Sequence, residues 1–354
     1  MRFERPVREA LDATASLQRL LEADFDVDLG GFLWWHNYNL SDVVITGIAD
    51  YLYGLTVAVA DNLQSAAVHL ADHDEIRGEA DAALLQHLKE ASSLNGFFNE
   101  VSSRRDAQVH AHETGVLRAC GSILDALAGV VVGVGGFEAS ILRADLGYLQ
   151  PFADGPDYPG PDVRGKLKIT ASSLDPDDVQ GALLRATRSS LRHAGPDGWL
   201  EWTQFSRNDR VHRASRLKMN LVVAADKVAK PLPRQPDFAE TLGFRSARGV
   251  SSLLLTEDSQ TTLAGVVGSV NVAILGTFMA CEQAWTTRRA NPALVPQPAG
   301  QWPTSKSPRS TTFKGYAPGS VVLPSDSTAL VLNPETVRRL RAAKVFDGDH
   351  PTTP

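Results

Sequence analysis

Gln260-Thr261-Thr262-Leu263-Ala264-Gly265-Val266-Val267-Gly268-Ser269-Val270-Asn271-Val272-Ala273-Ile274-Leu275-Gly276-Thr277-Phe278-Met279-Ala280-Cys281 carries no charge over its whole length. A helix of about 20 apolar residues can cross a bilayer, so the segment is either a membrane span or a helix inside a folded core. Five hydroxyl and amide residues (Thr261, Thr262, Ser269, Asn271 and Thr277) and three glycines interrupt it, and Asp258 and Glu282 close its ends. No basic or aromatic anchor precedes it. These features predict a central buried helix in a soluble, cytoplasmic protein without a membrane segment.

The rest of the chain supports a mostly α fold. Val7, Leu11, Leu17, Leu20 and Leu21 recur at helical spacing over residues 4–24. Ser41-Asp42 caps a long apolar run from Val43 to Leu70, and a further helix is expected from Arg77 to Leu94. Between them Asp72-His73-Asp74-Glu75 reads as a solvated turn. An apolar helix follows from Thr114 to Leu142, and its glycines, Gly133, Gly135 and Gly136, fit close helix packing better than a phosphate loop. Residues 150–163 hold four prolines and two glycines and mark the clearest boundary. Beyond it a short strand is expected at Lys166–Thr170. Asp175-Pro176 then reads as the cap of a helix reaching His193, and a further helix is expected from Trp199 to about Ala225. Residues 291–327 are rich in proline, serine and threonine, followed by strand character at 321–332 and a short helix from Asn333. The expected division is 1–150, 151–292 and an irregular extension, 293–354.

Composition narrows the class. The net charge of −6 over 354 residues argues against a protein that coats nucleic acid through overall basicity, although a local basic site remains compatible with it. Two cysteines, Cys120 and Cys281, sit in apolar helical stretches and read as buried, reduced thiols. The aromatic cluster Phe32, Trp34, Trp35 and Tyr38 reads as core or interface anchors, with base stacking as the alternative.

Two hexapeptides carry the chemistry: Arg105-Asp106-Ala107-Gln108-Val109-His110 and Arg207-Asn208-Asp209-Arg210-Val211-His212. Each has arginine, then Asp or Asn, two variable residues, valine and histidine. With 26 arginines and 9 histidines the bare arginine–histidine spacing is expected about once by chance, and it occurs three times. The third match, Arg188 to His193, lacks the Asn or Asp and reads as a basic helix end. An imidazole that exchanges protons near neutrality and a guanidinium that grips phosphate suit metal-independent attack of an RNA 2′-hydroxyl on the adjacent phosphate. Asn208 would orient the imidazole or the phosphate. Arg104, Arg210, Arg213, Arg216 and Lys218 would make the motif region locally basic and bind RNA, and His112 lies near the first motif.

The hexapeptides resemble the R-x4-H motif of the HEPN superfamily, small helical domains that include toxin and antiviral ribonucleases. The resemblance implies two HEPN-like helical-bundle domains, with a less regular Pro/Ser-rich C-terminal segment. It also implies one composite site that joins Arg105, Asp106 and His110 to Arg207, Asn208 and His212. No metal or other cofactor is required. The implied partners are an RNA substrate and a neutralising or regulatory partner, and the two motifs meet either within one chain or across a homodimer. A non-catalytic RNA-, nucleotide- or protein-binding module is the alternative.

Overall fold

The computed structural model describes residues 4–25, 31–91, 100–149, 167, 178–212, 221–224, 227–234 and 254–295; within these, the side chains at 31–33, 42–43, 91, 100–101, 209–212 and 221–224 are left aside. The described residues are mostly helical. Among the described residues there are six helices, α1 (Arg8–Glu22), α2 (Asp42–Ala91), α3 (Glu100–Gly135), α4 (Val179–His193), α5 (Trp199–His212) and α6 (Ser259–Ala290), with short 3-10 turns beside several of them. One small antiparallel ribbon pairs β1 (Leu221–Ala224) with β2 (Lys227–Ala229).

Helix α2 corrects the expected pair of helices. Residues 72–75 lie inside one continuous helix instead of forming a turn. No glycine or proline occurs between Ala71 and Arg77 to stop the helix, and the patch divides between two faces: His73 is fully buried while Asp72 stays half-exposed. The first hexapeptide likewise belongs to the same helix as the apolar run after it.

That helix, α3, stops at Gly135, earlier than the expected Leu142. Gly136 takes a left-handed φ of 60°, its N–H bonds to the carbonyl of Gly133, and the Phe137 N–H reaches back to Val132. This pairing satisfies the last carbonyls of the helix and favours glycine, which has no Cβ to strain. The packing role expected of these glycines also holds at Gly133, where a Cβ would lie 2.7 Å from Ile141 Cδ1 and 3.0 Å from Leu52 Cδ1.

Two other boundaries differ from the sequence reading. The cap of α4 is Asp178, whose carboxylate accepts the N–H groups of Gln180 and Gly181, so α4 begins three residues later than Asp175 would set it. Helix α5 ends at His212, well before Ala225, and the chain has turned to strand by Leu221. Apart from the buried Leu167, the expected strand at 166–170 lies outside the described residues, as do the strand and helix expected after residue 320.

The uncharged stretch forms the heart of α6. Its inner face, including Leu263, Val267, Val270, Ala273, Ile274, Phe278 and Cys281, joins a single buried cluster that runs from Val7 to Val295. Asn271 has a specific task there. Its Oδ1 accepts the N–H of Ala10 at 3.1 Å, a donor left without a partner by the first turn of α1, where Val7 makes no side-chain cap. The outer face is not buried, and Val272 and Met279 are exposed. By length and composition alone, Val44–Glu90, Ser102–Gly135 and Ser259–Ala290 could each cross a membrane.

At the far end of α6, Arg288 is fully buried. Its Nη1 donates to the carbonyls of Gly133 and Val134, both at 3.1 Å, and its Nε donates to the Tyr38 hydroxyl at 2.9 Å. The guanidinium carbon lies 5.1–5.8 Å from the ring centres of Trp34, Trp35, Tyr38 and Trp285. Trp34 and Trp35 also donate their indole N–H groups to the buried Asp24. These tryptophans are core anchors. Both cysteines are buried and free, and burial pushes the Cys120 thiol up to about 12, so neither is poised to react.

Candidate functional site

The first hexapeptide occupies an early stretch of α3. Val109 is buried and anchors it, while Arg104 is exposed and Arg105, Asp106 and His110 are half-buried. Asp106 faces Lys230 Nζ at 3.4 Å, and His110 Nδ1 lies 3.7 Å from Glu113. Beside it, Arg77 of α2 forms a forked pair with Asp258, its Nη2 at 2.6 Å from Oδ2, and its Nε reaches Asp81 at 3.2 Å. Burial tends to raise the Asp258 carboxyl. The Arg77 fork and the N–H groups of Lys230 and Gln260 outweigh it and hold the group below its ordinary value. This network ties the middle of α2 to the start of α6.

The second hexapeptide forms the last turns of α5. Trp199, Thr203 and Ser206 are buried, which leaves Arg207 and Asn208 at the margin of the core. Arg207 crosses to α3, where its Nη2 lies 3.0 Å from Asp125 Oδ2. Gly121 opens the path: a Cβ there would lie 2.8 Å from Arg207 Cδ. Asp125 Oδ1 also accepts the Leu146 N–H at 3.1 Å, so the carboxylate is fixed from both sides. The backbone of Arg210 and His212 belongs to α5, but their side chains lie outside the described residues, as do Arg213, Arg216 and Lys218 entirely.

No family model, curated protein or solved structure matches this chain.

Both hexapeptides therefore address α3 at different heights. Asp125 follows His110 by fifteen positions on one unbroken helix, a rise of about 22 Å. Arg207, held at Asp125, and His110 do not meet within the chain. The third match divides: His193 ends α4, exposed, and bonds through Nδ1 to the Ser189 carbonyl at 2.8 Å, whereas Arg188 is buried and lies before the last turn.

A histidine cluster lies outside both hexapeptides. His69 on α2 and His112 on α3 face each other with their Nδ1 atoms 3.1 Å apart, and His73 Nε2 lies 3.8 Å from Glu113. His112 is largely covered. Gly115 makes the His69 position possible, since a Cβ there would lie 2.5 Å from the imidazole Cδ2. Burial, then the neighbouring His112, lower the affinity of His69 for a proton, and Asp72 opposes them. A cleft of about 390 Å³ opens beside the pair, lined by residues including Asn62, Ser65, Thr114 and Arg118. Among the described residues, no group of three or more His, Cys, Asp or Glu side chains has the geometry of a metal site. The one sequence signal was a mid-helix glycine facing histidines, and it acquires meaning only once α2 and α3 are paired.

Proposed function

We propose that the chain is a metal-independent endoribonuclease of the HEPN type, built from two helical halves with the boundary near residue 150. Arg207, Asn208 and His212 form one half-site, and Arg105, Asp106 and His110 form the other. The observation that carries the reading is the docking of Arg207. Asp125 holds one edge of the guanidinium, and among the described residues no other partner takes its remaining N–H groups, which suits a two-pronged grip on phosphate. Because about 22 Å of helix separates the two anchoring points within a chain, the composite site forms between two copies. Histidine then moves the 2′-hydroxyl proton, and arginine stabilises the charge that grows on the phosphoryl oxygens. Cleavage leaves a 2′,3′-cyclic phosphate and a 5′-hydroxyl. The setting that fits is a cytoplasmic toxin or antiphage nuclease with a neutralising or regulatory partner.

The test is cleavage of single-stranded RNA in EDTA, with end-group analysis of the products. His110→Ala and His212→Ala should each abolish cleavage. Mixing and re-annealing the two variants should restore about a quarter of the wild-type rate, because half of the dimers are mixed and each holds one intact site. Absence of metal-free cleavage by the wild-type chain would sink the proposal. A second reading, a non-catalytic RNA-, nucleotide- or protein-binding module, draws on the partial neutralisation of Arg207 by Asp125. RNA binding without cleavage would favour it.

A further inference from the structure

We infer that the cleft between His69 and Arg118 binds the phosphate group of a small ester. This inference does not require the ribonuclease reading, because Arg207 and Asn208 take no part in the cleft.

The lining decides the ligand chemistry. All of it comes from α2 and α3, and none of the lining residues is acidic, in a protein whose net charge is −6. Arg118 is exposed and has no carboxylate partner among the described residues. Asn62 donates to the Ala58 carbonyl at 2.7 Å, which fixes its side chain at the cleft wall. Ser65 adds a hydroxyl. A guanidinium, an imidazole and the Ser65 hydroxyl supply donors that phosphate oxygens need. The volume, about 390 Å³, matches a small-molecule site and exceeds what a free anion would fill.

The paired histidines add a proton to this arrangement. At 3.1 Å one Nδ1 donates and the other accepts, so the uncharged pair can take up one proton and share it. The charged groups that face the pair are Asp72, 3.8 Å from His112 Nδ1, and Arg118 across the cleft. Glu113 and His73 engage each other one turn away. An anion beside His69 favours its charged form, so binding draws a proton into the pair and strengthens as pH falls.

Sulfate is the cleanest probe, since its own charge stays constant across the histidine range. Histidine C2–H proton resonances should be followed during sulfate titrations at pH 6 and pH 8, with assignment by His69→Gln and His112→Gln. The signals of His69 and His112 should move saturably, and more strongly at pH 6. Arg118→Gln, on the surface, should weaken binding at least about tenfold without lowering the melting temperature. Gly115→Ala should weaken it as well by displacing the imidazole. Parallel titrations with inorganic phosphate and adenosine 5′-monophosphate separate a bare anion from an ester, and the ester should bind more tightly. No saturable shift at pH 6, or equal affinity in Arg118→Gln, would overturn the inference. So would zinc binding to His69 and His112 with no response to any of the three anions.

Discussion

Arg207 Nη2 rests 3.0 Å from Asp125 Oδ2, joining the second hexapeptide to the helix that carries the first. Both side chains are about three-quarters covered, so the pair is neither a loose surface bridge nor a buried one. Exposed pairs contribute about 0–1 kcal/mol, and the larger consequence here is orientation. Asp125→Asn keeps an acceptor for the Leu146 N–H but releases the guanidinium. We expect RNA cleavage to fall about tenfold, with unfolding in urea shifted by about 1 kcal/mol or less. Faster cleavage in this variant would mean that Asp125 restrains Arg207 instead of orienting it.

Asp24 should give the fold a measurable pH dependence. Burial is the largest influence on its carboxyl, and it outweighs the Trp35 and Trp34 hydrogen bonds and the Arg289 charge, raising the group from 3.8 to about 6. A carboxyl raised in the folded state binds its proton more tightly there than in the unfolded chain. Its stabilising contribution is therefore fully present below pH 3.8 and is lost as pH rises through 6. That difference corresponds to about 3 kcal/mol at most. Asp24→Asn, which still accepts from the indoles, should remove this slope. Urea unfolding at pH 4.5 and pH 7 measures it: wild type should lose more stability than the variant over that interval, and parallel behaviour would refute the assignment.

Arg288 stands between two helix ends. Its loss would remove the Nη1 donor from the Gly133 and Val134 carbonyls and open a cavity among four aromatic rings. Arg288→Ala is expected to cost about 3 kcal/mol or more. Arg288→Lys should recover little of this, because an ammonium lacks the planar fork. Gly136→Ala should also destabilise the fold, by about 1–3 kcal/mol. It combines a φ of 60° with a Cβ placed 2.7 Å from Val295 Cγ1. Thermal unfolding followed by far-ultraviolet circular dichroism tests all three variants.

The proposed cytoplasmic setting makes a separate demand on the three long apolar helices. Full-length chain should remain in the supernatant after high-speed centrifugation of a detergent-free lysate. Recovery only from detergent-extracted membranes would assign α2, α3 or α6 to a bilayer and overturn this part of the proposal.

Most helices were legible because their causes are local. The period of Leu17 and Leu21 and the cap at Asp258 act within a few residues of chain. Trp34 and Trp35 were rightly taken as core anchors, since rings of that size are most easily accommodated by burial. Residues 72–75 misled because a polar run resembles a turn when its helical faces are not separated. Asp178 was missed as a cap because Asp175-Pro176 offers the same signal three residues earlier.

The sequence by itself determined a helical chain with two buried thiols, a central uncharged helix and two arginine–histidine hexapeptides on helices. Only the tertiary structure decided what those residues touch. Arg207 finds Asp125 and His69 finds His112 because helices pack in one register, with Gly121 and Gly115 opening the approaches. Helical periodicity states which face a residue occupies. The height at which two faces meet depends on side chains distant in the chain, and no local pattern records it.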